Sequence, residues 1–196
     1  MTDFSTIYTD PPYPRGIVNN NPGNLRIGLP WQGLKLGIPG GFCNFISVEY
    51  GVRAMAKDLY NKVVNDGLNT IALEVAKYAP PSENDTQAYI NAVSASTGWG
   101  PNDPIDLSVP GNLQLLIRAH VMHENGDQYG ALVTDQMISD GVGMMDQSIL
   151  SQTGNFFVNN PELSAAWGLG FAAVALVVVG IITKRLNISF IKKLIK

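Results

Sequence analysis

Residues 111–126, GNLQLLIRAHVMHENG, gather the side chains of this chain best suited to chemistry. Leu113, Leu116, Ile117, His120, Val121 and Glu124 fall at i, i+3, i+4, i+7, i+8 and i+11, which is one face of a helix. Leu115, Ala119 and Met122 make the neighbouring face apolar too, so the helix is expected to be largely buried. Its apolar stripe ends in a glutamate. Desolvation disfavours a carboxylate in such a place, and the partial negative charge of a helix C-terminus acts in the same direction. A carboxyl group that keeps its proton near neutral pH is what general-acid cleavage of a glycosidic bond requires. The plainer alternative is a Glu124 that reaches solvent or pairs with Arg118 or a histidine.

His120 and His123 lie three apart and could approach one ion, with Glu124 or Asp127 as further ligands. HVMHE is not the H-E-x-x-H zinc motif, however, and the chain has only these two histidines. Core or rim histidines are expected, with no metal and no cofactor. Among other carboxylates, Glu49 reads first as a helix first-turn acid, and Glu83 as a turn or cap residue in a Pro-Pro-Ser-Glu-Asn-Asp loop. Asp85 and Asp103 are the remaining acids weighed.

The elements that must position these groups read as short helices separated by loops. Ser47 is an N-cap candidate, followed at helical spacing by Val52, Met55, Ala56, Leu59 and Val63. A second helix runs from about Thr70 to Lys77 and stops before Pro80-Pro81. Asn84 or Asp85 caps a third, carrying Tyr89, Ile90 and Val93. Pro110 suits the first turn of the fourth, which ends near Gly126, and a fifth spans Val133 to Ile138. Residues 15–46 are rich in Gly, Pro and Asn; RGIVNN and GFCNFIS offer short strands for a small β-hairpin. The class is mainly α.

The two ends differ from this head. Residues 1–14 are Pro-rich and read as an extended arm, and residues 146–162 as a polar linker. Leu163 to Thr183 runs 21 residues without a charge, about 30 Å as a helix at 1.5 Å per residue, the thickness of a bilayer's hydrocarbon core. Trp167 suits the headgroup level near one end. Residues 184–196 then form a basic amphipathic tail holding five of the 13 Lys+Arg and none of the 16 acids. Positive-inside asymmetry puts that tail on the cytoplasmic side of a membrane, or against nucleic acid inside a virus particle, with the head on the far side. The acidic head argues against nucleic-acid binding there. One cysteine, Cys43, excludes an intrachain disulfide framework.

RGIVNNNPGNLR (15–26), Trp31-Gln32-Gly33, FCNFISVEYGVRAM (42–55), YAPPSENDTQAYINAVSASTG (78–98) and LIRAHVMHENG (116–126) follow one another in an order that resembles a phage and prophage family of lysozyme-like virion proteins. The resemblance covers residues 15–145. It implies a lysozyme-like helical domain that degrades peptidoglycan during phage entry. The same segments are similar to flagellar-type glucosaminidases and lytic transglycosylases, in which a helix ending in Glu-Ser-Gly precedes an Asn-rich turn and an F-x-x-[FY]-x-S-x-E segment. Here His123-Glu124-Asn125-Gly126 comes last, which implies a circular permutation, with Asn125 where those enzymes have Ser.

The resemblance implies Glu124 as catalytic acid, with Glu49 the next candidate. Asn20, Asn21 and Asn24 would then meet the N-acetyl groups of the substrate, and Trp31, Tyr78, Tyr89 and Trp99 would floor its sugar rings. No second carboxylate stands out, which favours a lytic transglycosylase over a muramidase. Expected partners are peptidoglycan, a lipid bilayer through residues 163–183, packaged DNA through the basic tail, and capsid or spike proteins. The expected place is a virion membrane or a host inner membrane, single-pass, with the C-terminus inside. The rival reading is a non-enzymatic structural virion protein on the same scaffold, linking membrane to capsid or spike.

Overall fold

The computed structural model describes residues 1–9, 12–36 and 41–145. Their elements are a 3-10 turn (Phe4–Thr6) and six helices: α1 (Arg15–Val18), α2 (Val48–Tyr60), α3 (Ile71–Tyr78), α4 (Thr86–Thr97), α5 (Asn112–Gly130) and α6 (Asp135–Gly143). A π-helical turn, Asn61–Asn65, continues α2. The domain is mainly α, as the periodicity predicts. The expected linker 146–162, membrane span 163–183 and tail 184–196 lie outside the described residues.

Helix α2 is the centre. Val48, Val52, Met55, Ala56 and Leu59 have no accessible surface, and even Glu49 and Arg53 are buried. It packs against α6 and α5, while α4 bridges α3 and α5. Ser47 occupies the N-cap in extended conformation without a side-chain cap bond. The caps of α3, α4 and α6 do form: Thr70, Asp85 and Thr134 accept from the amides of Leu73, Ala88 and Met137. Each satisfies a backbone donor that a helix start leaves free. The last helix begins two residues later than expected and runs on to Gly143.

Two expectations are corrected. RGIV is no strand; it forms the single turn α1, entered through Pro14, whose carbonyl accepts from Ile17 and Val18 at 3.0 and 3.1 Å. The hairpin is also absent among the described residues. Segments 25–35 and 41–46 touch through two isolated antiparallel bridges, Arg26↔Phe42 and Leu34↔Phe45. Pro30 and the positive φ of Gly33 and Gly41 break the extended run that a ladder needs. The N-terminal arm also carries more structure than its prolines suggest. Phe4 is buried in the core and its amide donates to Asn20 Oδ1 at 2.7 Å.

The Asn-rich turn, residues 19–24, is built from the inside. Asn20 and Asn24 adopt left-handed backbone conformations, φ 52° and 49°, which Asn tolerates better than other L residues. Asn20 Nδ2 donates to Asp3 Oδ1 and the Phe45 carbonyl; Asn21 Nδ2 donates to the Leu25 and Cys43 carbonyls. The turn then lies directly on α2. A Cβ at Gly51 would sit 1.9 Å from the Asn20 carbonyl oxygen. Backbone cannot yield as a flexible side chain does, so Gly51→Ala should destabilise the fold by at least about 2 kcal/mol. A urea-denaturation midpoint unchanged from the parent would contradict this packing.

Candidate functional site

Glu124 stands at the true end of the long helix. Gly126 takes φ 71°, ψ 161°, which interrupts α5 immediately after Asn125. Only glycine visits that region cheaply. The face expected to be buried is buried: Leu116, Ile117, His120 and Val121 have no accessible surface. Glu124 itself is half-buried.

Its carboxylate is held by two segments far away in sequence. Asn24 Nδ2 donates to Oε2 at 2.8 Å, and the Tyr89 hydroxyl lies 2.9 Å from Oε1. Asn24 is oriented in turn by Arg15, whose Nε donates to Asn24 Oδ1 at 3.3 Å and whose guanidinium lies over the Phe42 ring. Asn125, one residue past Glu124, is buried and donates to the Pro22 and Val121 carbonyls at 2.8 and 2.9 Å. It ties the end of α5 to the Asn-rich turn. Tyr78 donates to the carbonyl of Gly23 in the same turn.

Behind the carboxylate lies an aromatic and imidazole layer. His120 Nδ1 is 2.8 Å from the Tyr89 hydroxyl, and its Nε2 is 3.0 Å from Glu74 Oε2. The Tyr78 ring meets His120 edge-on, and His123 stacks on Tyr89 with ring centroids 3.7 Å apart. Burial, reinforced by surrounding negative charge that includes Glu124, pushes both tyrosine phenols well above their ordinary range. They stay protonated donors at neutral pH. Desolvation is the main cause that lowers the half-exposed His123 imidazole, with the charge of Glu124 acting against it.

The sequence-derived residues therefore separate into groups. Glu124, Asn24, Tyr89 and Tyr78 come together. Asn20 and Asn21 have no accessible surface, and both N–H groups of each already serve the protein, so they hold the turn rather than face a ligand. Trp31 lines a cleft of about 290 Å³ with Leu29, Arg53 and Lys57, a lining that does not include Glu124. Glu83 pairs with Arg26 at the surface. Sequence reasoning missed Glu74 and Asn125. Glu74 looks like an ordinary helix acid, and its only signal is an acid within the apolar run Ile71, Ala72, Leu73, Val75. Among the described residues no three His, Cys, Asp or Glu side chains converge as metal ligands do.

Glu49 is buried and occupied elsewhere: the Thr2 amide donates to both its oxygens, at 2.8 and 2.9 Å. Burial alone would raise this carboxyl, but the Ser47 hydroxyl and the Thr2 amide outweigh it and hold it below its ordinary value.

No family model matches the chain. A bacteriophage protein does. Protein P5 of Pseudoalteromonas phage PM2 is 36% identical over 118 residues, an overlap covering 57% of this chain and 71% of that protein. The chain belongs to the family of that phage protein.

Because the folded Glu49 carboxyl is depressed, its contribution is complete above the unfolded carboxylate value, about 4.3, and is lost as pH falls through the lower folded value. Glu49→Gln should cost roughly 1.5–3 kcal/mol at neutral pH and progressively less in acid. Equilibrium unfolding at several pH values checks this; a penalty independent of pH would refute the assignment.

Proposed function

We propose that the protein is a component of a bacteriophage virion, and that its helical head is a lysozyme-like domain that cleaves the β-1,4 link of peptidoglycan. Kinship to a phage protein supports the first part. The observation that carries the second is the seating of Glu124. A half-buried carboxyl group at a helix end, held by Asn24 and Tyr89 from opposite sides, is fixed in place yet not sealed from a substrate.

Glu124 protonates the leaving glycosidic oxygen as the bond from the anomeric carbon breaks. A glycosidase with two working carboxylates needs the second within about 5–10 Å across the scissile bond. Glu49 is tied to Thr2, and Glu74 lies behind His120 with no accessible surface. One carboxylate favours the transglycosylase route. The substrate's own C6 hydroxyl attacks the anomeric carbon, its proton passes to the Glu124 carboxylate, and a 1,6-anhydro sugar leaves. That chemistry requires no cofactor.

The head is read as anchored by residues 163–183 in a virion membrane, with the basic tail inside against packaged DNA and the head toward capsid, spike or cell wall. The support is the uncharged run and the basic tail. No helix among the described residues is long and apolar enough to cross a membrane.

A second reading is a structural virion protein without activity. It is favoured by the kinship itself, which calls for no catalysis, and by the fact that the bonds from Tyr89 and Asn24 to Glu124 also tie α5 to α4 and to the Asn-rich turn.

Two experiments decide. Incubated with purified peptidoglycan, the protein should release anhydro-muropeptides detectable by mass spectrometry, and Glu124→Gln should reduce release at least about a hundredfold. Absence of fragments across pH 4 to 8 selects the structural reading. On a flotation gradient with lipid vesicles, the full chain should float and a chain ending at residue 162 should stay at the bottom. Equal behaviour would remove the anchor.

A further inference from the structure

Glu74 is a second carboxylate that the glycosidase reading leaves unused. It has no accessible surface, and neither of its oxygens has a well-aligned hydrogen bond. Its Oε2 is 3.0 Å from His120 Nε2. His120 Nδ1 is 2.8 Å from the Tyr89 hydroxyl, which is 2.9 Å from Glu124 Oε1. Four groups thus stand in line across three short gaps, from the core to the candidate site.

The protons on this line can be counted. Each gap becomes a hydrogen bond only when it holds one proton, so the line takes three. With three protons its net charge is −1. Two arrangements put one proton in every gap and place that charge at opposite ends. In one, Glu74 is a carboxylic acid donating to Nε2, Nδ1–H donates to the phenol oxygen, and the phenol donates to a Glu124 carboxylate. In the other every bond reverses. Nε2–H donates to a Glu74 carboxylate, the phenol donates to Nδ1, and the Glu124 carboxylic acid donates to the phenol oxygen. Three protons move, one in each gap, and the total charge is unchanged.

We propose that Glu74, His120 and Tyr89 form a proton wire that loads and unloads Glu124 from its buried side. The proposal rests on the reading of Glu124 as acid and then base. These three residues touch no substrate; they act through Glu124. Before cleavage the wire shifts its three protons outward, so that Glu74 becomes the carboxylate and Glu124 the carboxylic acid; Glu124 then gives that proton to the leaving oxygen, which leaves carboxylates at both ends and two protons on the line. When the C6 hydroxyl gives up its proton to Glu124, the wire reverses and the Glu74 carboxyl is restored. A carboxylic acid is stable beside Ile71 and Val75 in a way an unpaired carboxylate is not, so the buried end can exchange charge for neutrality as the open end requires.

Among the described residues, groups from α2, α3, α5 and the Asn-rich turn, and from the π-helical turn after α2, lie around this line. Tyr78 of α3 and His123 of α5 pack on its rings, and Asn24 of the turn donates to its open end. Asp58 of α2 acts on Tyr78, and Lys62 lies over the Tyr78 ring.

The test is a pH titration of the full chain in detergent micelles, followed by ¹⁵N signals of the His120 ring and the ¹³C signal of the Glu124 carboxyl. His123→Gln and Glu124→Gln assign the resonances. A wire makes the two groups titrate as one coupled unit with shared midpoints. Tyr89→Phe, which removes only the hydroxyl, should separate the midpoints. Should that variant lose its dispersed spectrum, Glu74→Gln must abolish the shared midpoint instead. Independent titration in the parent, or coupling that survives both variants, overturns the wire. A parent that releases no peptidoglycan fragments but titrates as one unit overturns the glycosidase reading and leaves the wire standing. An active parent with independent signals overturns the wire alone.

Discussion

Glu74 sets the terms for this domain. A carboxyl group with no accessible surface must be neutralised by protein, and His120 Nε2 lies 3.0 Å from its Oε2. Removing one partner of a buried pair typically costs about 3–5 kcal/mol, far more than a surface bridge. That requirement bears on how α5 is turned, because His120 must present Nε2 to Glu74 of α3. Once His120 points at Glu74, its other nitrogen faces α4, where Tyr89 meets it. The next turn of α5 then carries Glu124 to the same hydroxyl. The position of the candidate acid follows from a pairing made in the core.

The opposite wall obeys a similar constraint. A turn with two fully buried asparagines would be costly if their amides were left unpaired in the interior. Asn20 and Asn21 avoid that cost by binding the carbonyls of Leu25, Cys43 and Phe45, segments that lack a sheet ladder of their own. The two side chains thus stand in for a hairpin. Asn24 alone is left turned toward α5, and Asn125 reaches back to Pro22 to close the join. The site is the seam between this turn and the end of α5.

The helices were legible because their signals are local. Apolar spacing, with Asp85 as a cap, places the starts of α3 and α4 within a residue or two. The coming together of Glu124 with Asn24 followed from pattern resemblance, since a hundred residues of chain separate them. What stayed hidden depends on tertiary partners. Glu74 occupies a first-turn position that an exposed acid fills equally well. Asn20 and Asn21 looked available because composition reports donors and acceptors, not whether they are already bonded. RGIV carries a β-branched pair, yet Pro14 sets the backbone for a helical turn.

The catalytic and structural readings place different demands on the same residues. Glu74, His120, Asn20, Asn21 and Asn125 are buried polar groups, and a protein of either kind must keep them to stay folded. Their presence therefore says little about activity. Glu124 is different. It is half-exposed, so water can replace it as a partner for Asn24 and Tyr89 at modest cost. A scaffold gains little from a carboxylate there, with its charge placed against the negative end of its own helix. The balance between the readings thus falls on a single side chain, a carboxylate held by two donors and still open to a ligand.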